Sequence, residues 1–228
     1  MNKFILIIGA ICVFIVIVNL LAWLFNNEKM LSNYSSAKTA TTIDSKSTPV
    51  GKNYNYTYGV WVYIDDWSYN FGREKIIFSK GTSSPKVSLG GTENDLKVTL
   101  QINEDNESTP TQFECGIQNV PLQKWTHLLV SVNGRSLDIY MNGKLVRTCV
   151  MNGVPVYDST SPTYLTPNGG FSGFTSKFKY WSDSINPQQA WNIYQRGPGG
   201  NIFGNLFSEY KLQVNFMKGV DTKASISL

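Results

Sequence analysis

Histidine is nearly absent: His127 is the only one among 228 residues. A Ser-His-Asp arrangement would have one candidate base, and a zinc site would lack ligands. Charge is sparse as well. Charged residues make up 16% of the chain, and the formal net charge of +4 is spread without a basic run. A phosphate-binding face needs Lys and Arg gathered on one side, so no nucleic-acid partner is implied. The Gly-rich stretch Gly197-Pro198-Gly199-Gly200 lacks the Lys and the following helix of a phosphate loop, and reads as a turn.

What is present is unevenly placed. Phe4 to Phe25 is a run of 22 residues without a charge, strongly polar only at Asn19. As a helix it would reach about 33 Å, enough to span a bilayer. It is too long for the apolar core of a signal peptide, and Leu20 to Phe25 offers no small-x-small cleavage site. Residues 1–28 are therefore expected to form a single transmembrane anchor, with Trp23 at the headgroup boundary. Lys3 and the amino terminus precede the span, while Glu28 and Lys29 cancel after it. The expected topology puts the N-terminus inside and the body on the far side.

Residues 31–50, LSNYSSAKTATTIDSKSTPV, hold nine Ser or Thr and almost no large apolar side chain. Burial there cannot offset the entropy of ordering, so residues 29–52 are expected to be a flexible stalk. Asn33-Tyr34-Ser35, Asn55-Tyr56-Thr57 and Asn106-Glu107-Ser108 fit the glycosylation pattern, which matters only in a secretory lumen.

From residue 53 onward the dominant period is two. Tyr56, Tyr58, Val60, Val62 and Ile64 share one strand face, and Thr57, Gly59, Trp61 and Tyr63 the other. Leu96, Val98, Leu100 and Ile102 alternate with Lys97, Thr99 and Gln101 in a second strand. Between Trp125 and Cys149 two Asn-Gly dipeptides separate alternating runs, and each predicts a two-residue hairpin loop. Around Asn142-Gly143 this sets Asp138 opposite Arg147, Ile139 opposite Val146 and Leu137 opposite Thr148. Around Asn133-Gly134 it sets Leu128 opposite Ile139 and Val130 opposite Leu137. Leu128, Val130, Val132, Leu137, Ile139, Met141 and Val146 then face the core, and His127, Tyr140, Asp138 and Arg147 face away. His127 is expected opposite Tyr140, as a sheet pair rather than a catalyst. Asn186-Pro187 opens a short helix through Tyr194 with Gly197 as its stop, and Tyr210 to Phe216 alternates as a late strand.

Cys12 lies in the apolar block; Cys115 and Cys149 are the two cysteines of the body. A disulfide between them would close a loop of about 35 residues and contribute about 3 to 4 kcal/mol. It requires an oxidising lumen or a supplied oxidant, and separate thiols are the alternative. Many short strands, hairpin turns and one late helix give the expected fold class. It is all-β, a two-sheet antiparallel jelly-roll sandwich with one short helix, behind a transmembrane helix.

The runs Trp125-Thr126-His127, Val130 to Gly134 and Ile139 to Val146 resemble the heart of the concanavalin A-like lectin/glucanase superfamily in its laminin-G-like branch. Tyr58 to Tyr63 is similar to that family's first aromatic strand. Gly170 to Gly173, Phe178 to Trp181 and the Asn186-Pro187 helix are similar to its closing strand and helix. The resemblance covers residues 54–196, with a C-terminal extension from about 197 to 228. The order of span, polar segment and jelly roll, with Asn119 to Trp125, Leu145 to Cys149, Trp191 to Tyr194, Gly204 to Phe207 and Tyr210 to Leu212, resembles membrane-anchored virion proteins of large DNA viruses of algae and protists. That narrower resemblance implies a protein of the virion's internal membrane, with capsid or other virion proteins as partners.

Glycosidases of this fold carry Glu-x-Asp-x-Glu on one strand, so that nucleophile and acid project together. No such triplet occurs here. Asp65 and Asp66 are adjacent and point apart, and Glu104, Asp105 and Glu107 have the wrong spacing. No catalytic residue, no metal site and no cofactor are expected. Calcium held by loop oxygens, as in some relatives, is the alternative to two solvated acidic turns. Trp67, Tyr69 and Phe71, in a loop with Asp65, Asp66 and Arg73, are the expected contact patch, since aromatic faces stack on sugars and anchor protein interfaces. The expected function is that of a non-enzymatic, single-pass minor capsid protein linking internal membrane to capsid. A membrane-anchored lectin that binds glycan through Trp67 and Tyr69 is the alternative.

Overall fold

The computed structural model describes residues 28–49, 51, 54–81, 84–104 and 109–199, positions 13, 14, 16 and 17, and the backbone of 213–218 and 221–227. The apolar run from Phe4 to Phe25 lies outside the described residues except for Val13, Phe14, Val16 and Ile17, which are helical and exposed. Among the described residues no helix is long and apolar enough to cross a membrane.

Two antiparallel sheets face each other across a common core, as the period-two pattern predicts. The first contains β1 (Glu28–Ser32), β14 (Ser172–Trp181), β4 (Tyr56–Asp66), β9 (Thr126–Asn133), β10 (Ser136–Met141) and β11 (Lys144–Val150) in that order, with β2 (Ser35–Ser36) also on β14. The second runs β12 (Val154–Pro155), β7 (Leu96–Asn103), β6 (Lys86–Leu89), β5 (Lys75–Lys80), β13 (Thr163–Leu165) and β3 (Thr41–Ile43), with β8 (Thr111–Ile117) paired to β7. The chain closes with α1 (Pro187–Gln195) and a separate hairpin of β15 (Gln213–Lys218) and β16 (Asp221–Ser227).

Tyr56, Tyr58, Val60, Val62 and Ile64 from one sheet meet Leu96, Val98, Leu100 and Ile102 from the other in the core. The outer face of the first sheet is buried too. There α1, capped by Asn186 in a reciprocal pair with Gln189, lays Ala190 and Ile193 over Leu129, Tyr140, Trp181 and Ile185. This cover explains why β9 is buried on both sides through seven consecutive residues, although its sequence alternates.

Three expectations are corrected. The polar segment after Glu28 is not a free stalk: β1 and β2 pair with β14, and β3 pairs with β13. Its small residues fit where large ones would not, with Ala37 and Thr48 fully buried and Ile43 in the core. The first Asn-Gly hairpin turns on Gly134-Arg135, so Val130 meets Ile139 and Val132 meets Leu137, a shift of two residues that leaves each side chain on its expected face. Tyr140 consequently lies opposite Leu129 rather than His127.

The second hairpin carries a bulge. Tyr140 pairs with Leu145 but Ile139 pairs with Arg147, so Val146 is skipped and is 46% exposed instead of facing the core. From there the faces swap. Asp138 lies opposite Thr148, and Cys149 comes opposite the core residue Leu137, where it is bonded to Cys115 with Cα atoms 6.2 Å apart.

Candidate functional site

The loops at the Asp66 end of β4 gather the candidate residues. After Asp66 the chain turns through Ser68 to Arg73, helped by positive φ at Asn70 and Gly72. The Asp66 carboxylate accepts from the Ser68 hydroxyl and the Ser68 N–H at 2.7 and 2.8 Å, and these bonds hold it below the ordinary carboxylate range. The carbonyl of Asp65 accepts from Gln123 Nε2 at 3.4 Å.

Trp67 is half-buried against the core, donates Nε1–H to the Thr92 carbonyl at 3.2 Å, and carries the Lys75 ammonium 4.4 Å from its ring centre. Lys75 is itself fully buried and donates to the carbonyls of Asn70 and Gly91, both at 3.2 Å. Burial lowers its pKa, and the ammonium pins two loops together. Tyr69 sits under the Lys38 ammonium at 4.8 Å, and Phe71 at the loop tip is 62% exposed. The five expected contact residues therefore lie together, Asp65 and Asp66 at the end of β4 and the three aromatics on the turn after it, but only Phe71 presents a large open ring there.

A second aromatic group, which the sequence reading did not assemble, lies on the outer face of the first sheet near the same end. Tyr63 is paired with Phe174 across β4 and β14, and Trp125 immediately precedes β9. Tyr34, in the turn between β1 and β2, stacks on Phe174 at 5.3 Å and lies 6.3 Å from Trp125. Trp125 and Tyr63 are 5.6 Å apart. Tyr34 remains 63% exposed and Phe174 36%. Period two already turned Tyr63 outward, but Tyr34 sits in a polar segment and reaches the cluster only because that segment joins the sheet.

A polar furrow runs over the second sheet to its edge against β11, with cavities of about 660 and 480 Å³ that share Asp95 and Lys97. Two of its carboxylates are ion-paired. Glu74 accepts from Ser88 at 2.7 Å and pairs with Lys86 at 3.1 Å, while Glu114 pairs with Lys97 at 3.3 Å. Burial works to raise the Glu74 carboxyl, but the bonds from Ser88 and Lys86 outweigh it and hold it below the usual range. Such a carboxylate is charged at neutral pH and has no proton to donate as a general acid.

His127 lies on the outer sheet face beside the stacked rings of Trp61 and Tyr194, at ring separations of 5.0 and 6.5 Å. It is 2% exposed and its Nδ1 has no hydrogen-bond partner. Burial, reinforced by Lys179 and Lys177, lowers its pKa to about 3. Among the described residues no three or more His, Cys, Asp or Glu side chains are grouped to hold a metal ion. Of the second acidic cluster, Glu104 accepts from Thr111 at 2.9 Å, and Asp105 and Glu107 lie outside the described residues.

Solved structures share this architecture. The receptor-binding domain of botulinum neurotoxin C/D mosaic serotype matches with a TM-score of 0.56 at 14% identity, over 73% of this chain and 43% of that one. The ligand-binding domain of botulinum neurotoxin serotype D, in complex with N-acetylneuraminic acid, matches at 0.54 and 14%, over 73% and 42%. The binding domain of botulinum neurotoxin DC, in complex with rat synaptotagmin II, matches at 0.53 and 14%, over 72% and 41%. The chain spans about two-fifths of the length of those proteins, and at this identity the likeness is one of fold. None of the curated proteins compared with the chain matches it. The laminin G-like family model of the superfamily matches residues 35–190, about two-thirds of the sequence and nearly all of the two-sheet body. The chain belongs to the concanavalin A-like lectin/glucanases superfamily.

Proposed function

We propose that this chain is a non-enzymatic, single-pass membrane protein, held by Phe4 to Phe25 with its N-terminus inside. Its jelly-roll body docks onto neighbouring proteins, as a minor capsid protein linking a virion's internal membrane to the capsid. The observation that carries the docking role is the cluster of Tyr34, Phe174, Trp125 and Tyr63, open at Tyr34 and Phe174 and mounted on the paired strands β4 and β14 through Tyr63 and Phe174. Exposed, preordered aromatic rings bind at low entropic cost and are common interface anchors. The paired state of Glu74 and Glu114 supports a surface that recognises rather than cleaves.

The test is cross-linking mass spectrometry on purified particles, comparing the native chain with Tyr34→Ser/Phe174→Ser. Cross-links from residues around Trp125 to a capsid protein are expected in the native chain and are expected to fall at least tenfold in the variant. Unchanged cross-links, or absence of the chain from the particles, would overturn the proposal.

A lectin role is the second reading. The same rings favour it, since aromatic faces also stack on sugars. Binding on a glycan array that disappears in Tyr34→Ser/Phe174→Ser would favour it over protein docking, and dependence on added calcium would identify the ion as part of the site.

A further inference from the structure

The sequence places only Asn26 and Asn27 between the apolar run ending at Phe25 and Glu28, the first residue of β1. Three Cα steps span at most about 11 Å, and the polar layer of one leaflet is about 6 Å thick. Glu28 is also fixed to the body: Lys179 and Arg196 both bind its carboxylate, Arg196 at 3.0 Å. Its strand runs antiparallel to the end of β14, with Glu28 opposite Trp181. A body locked to the chain at that point has no length of tether with which to stand away from the lipid.

We infer that the end of the sandwich around Glu28 rests directly on the headgroup layer of the membrane, and that its partner there is an anionic lipid surface. The inference rests on the anchor proposed above. The chemistry around Glu28 fits such a surface. Lys29 and Lys46 are exposed and adjacent, Lys29 Nζ donating to the Lys46 carbonyl at 2.9 Å, and the Arg196 side chain is 58% exposed. Lys177 and Lys179 lie behind them, Lys177 donating to the carbonyls of Arg196 and Gly197 at the end of α1. Lys29, Lys46 and Arg196 are thus the open cations around the chain entry, while Lys179 is buried against Glu28 and Lys177 is held by the two carbonyls. Tyr54, 56% exposed, lies beside this entry, since its N–H bonds to Gly51, which abuts Ser182. Tyrosine is favoured at headgroup depth.

The same geometry orients the rest of the domain. From Trp181 back to Phe174 is seven residues of strand, about 20 Å at the rise of a β-strand. The aromatic cluster and the Phe71 loop are held away from the lipid at that height, where another protein can reach them.

The test uses the full chain carrying Cys12→Ser, reconstituted into phosphatidylcholine vesicles with or without phosphatidylserine. A nitroxide label is placed at Lys46→Cys or at Phe71→Cys, and its relaxation by a nickel-chelating lipid is measured. The Lys46 label is expected to relax several-fold faster than the Phe71 label. That difference should shrink when a long Gly-Ser segment is inserted after Asn27, and shrink more when Lys29→Glu is added. Equal relaxation at both positions in a chain that resists alkaline carbonate would overturn the seating and leave the anchor standing. Extraction of the chain by carbonate would overturn the anchor and the seating with it.

Discussion

Histidine is the residue type most associated with general acid–base catalysis, yet the surroundings of His127 keep it uncharged. Its ring is buried beside Trp61 and Tyr194, its Nδ1 is unpartnered, and Lys177 and Lys179 supply further positive charge. It therefore stays neutral in the folded chain down to a pH of about 3. In the unfolded chain it takes up a proton below the ordinary histidine value of about 6.5. Only the unfolded state gains that proton in the interval, so the contribution of His127 to stability is constant above this window and falls as the pH drops from about 6.5 toward 3. The slope from this one group approaches about 1.4 kcal/mol per pH unit. Urea unfolding of a chain beginning at Glu28, from pH 7 to pH 4, should show this loss in the native sequence. In His127→Leu it should be smaller by about one proton, and parallel curves would refute the buried neutral state. Lys75 argues similarly by contacts: Lys75→Met leaves the Asn70 and Gly91 carbonyls without their shared donor and is expected to cost about 2 kcal/mol, read by the same unfolding curves.

The strands of the body show how far pattern alone reaches. Faces were legible wherever alternation was clean, as in Tyr56 to Ile64 and Leu96 to Ile102, because a buried face constrains every second residue. The α1 cap was legible because Asn, Pro and Gln occupy the positions whose side chains or missing N–H suit a helix start. Register was not legible, because parity survives a shift of two residues, and because a bulge adds a residue without any marker in the sequence. The Tyr34 cluster was hidden for another reason: two of its rings come from separate strands, a third from just before β9, and the fourth from a segment whose composition suggested no structure. The bulge at Val146 makes a sharp test. Deleting Val146 preserves every pairing from Ile139–Arg147 onward, so Cys149 should still meet Cys115 and thiol titration should detect no new free cysteine. In a straight hairpin the same deletion would swap the faces and expose two thiols. Removing the bond itself, by Cys115→Ala/Cys149→Ala, should cost about 4 kcal/mol through the loop of 34 residues it closes.

For the whole molecule, the decisive question is where the folded body starts, because the answer determines whether the head is tethered or seated. Composition placed the boundary near residue 53, and the contacts carry the body back at least as far as Glu28. The intervening segment supplies the edge strands β1 and β3 to different sheets and inserts Ala37 and Ile43 into the core. It also satisfies groups that would otherwise be stranded. The Lys80 ammonium, which is 1% exposed, donates to Thr48 Oγ1 at 2.8 Å; Tyr157 donates to the Thr48 carbonyl at 2.8 Å, and Tyr180 to that of Pro49. Losing the buried Ile43 side chain and leaving a buried ammonium short of a partner amounts to about 5 kcal/mol, comparable to the full stability of many domains. A chain of residues 28–228 is therefore expected to melt in one cooperative transition, whereas residues 53–228 should aggregate or bind a hydrophobic dye without a transition. If the shorter chain melts as cooperatively and at the same temperature, the polar segment is dispensable. The body would then be free to hang from a tether of more than twenty residues, and its seating on the membrane would lose its mechanical basis.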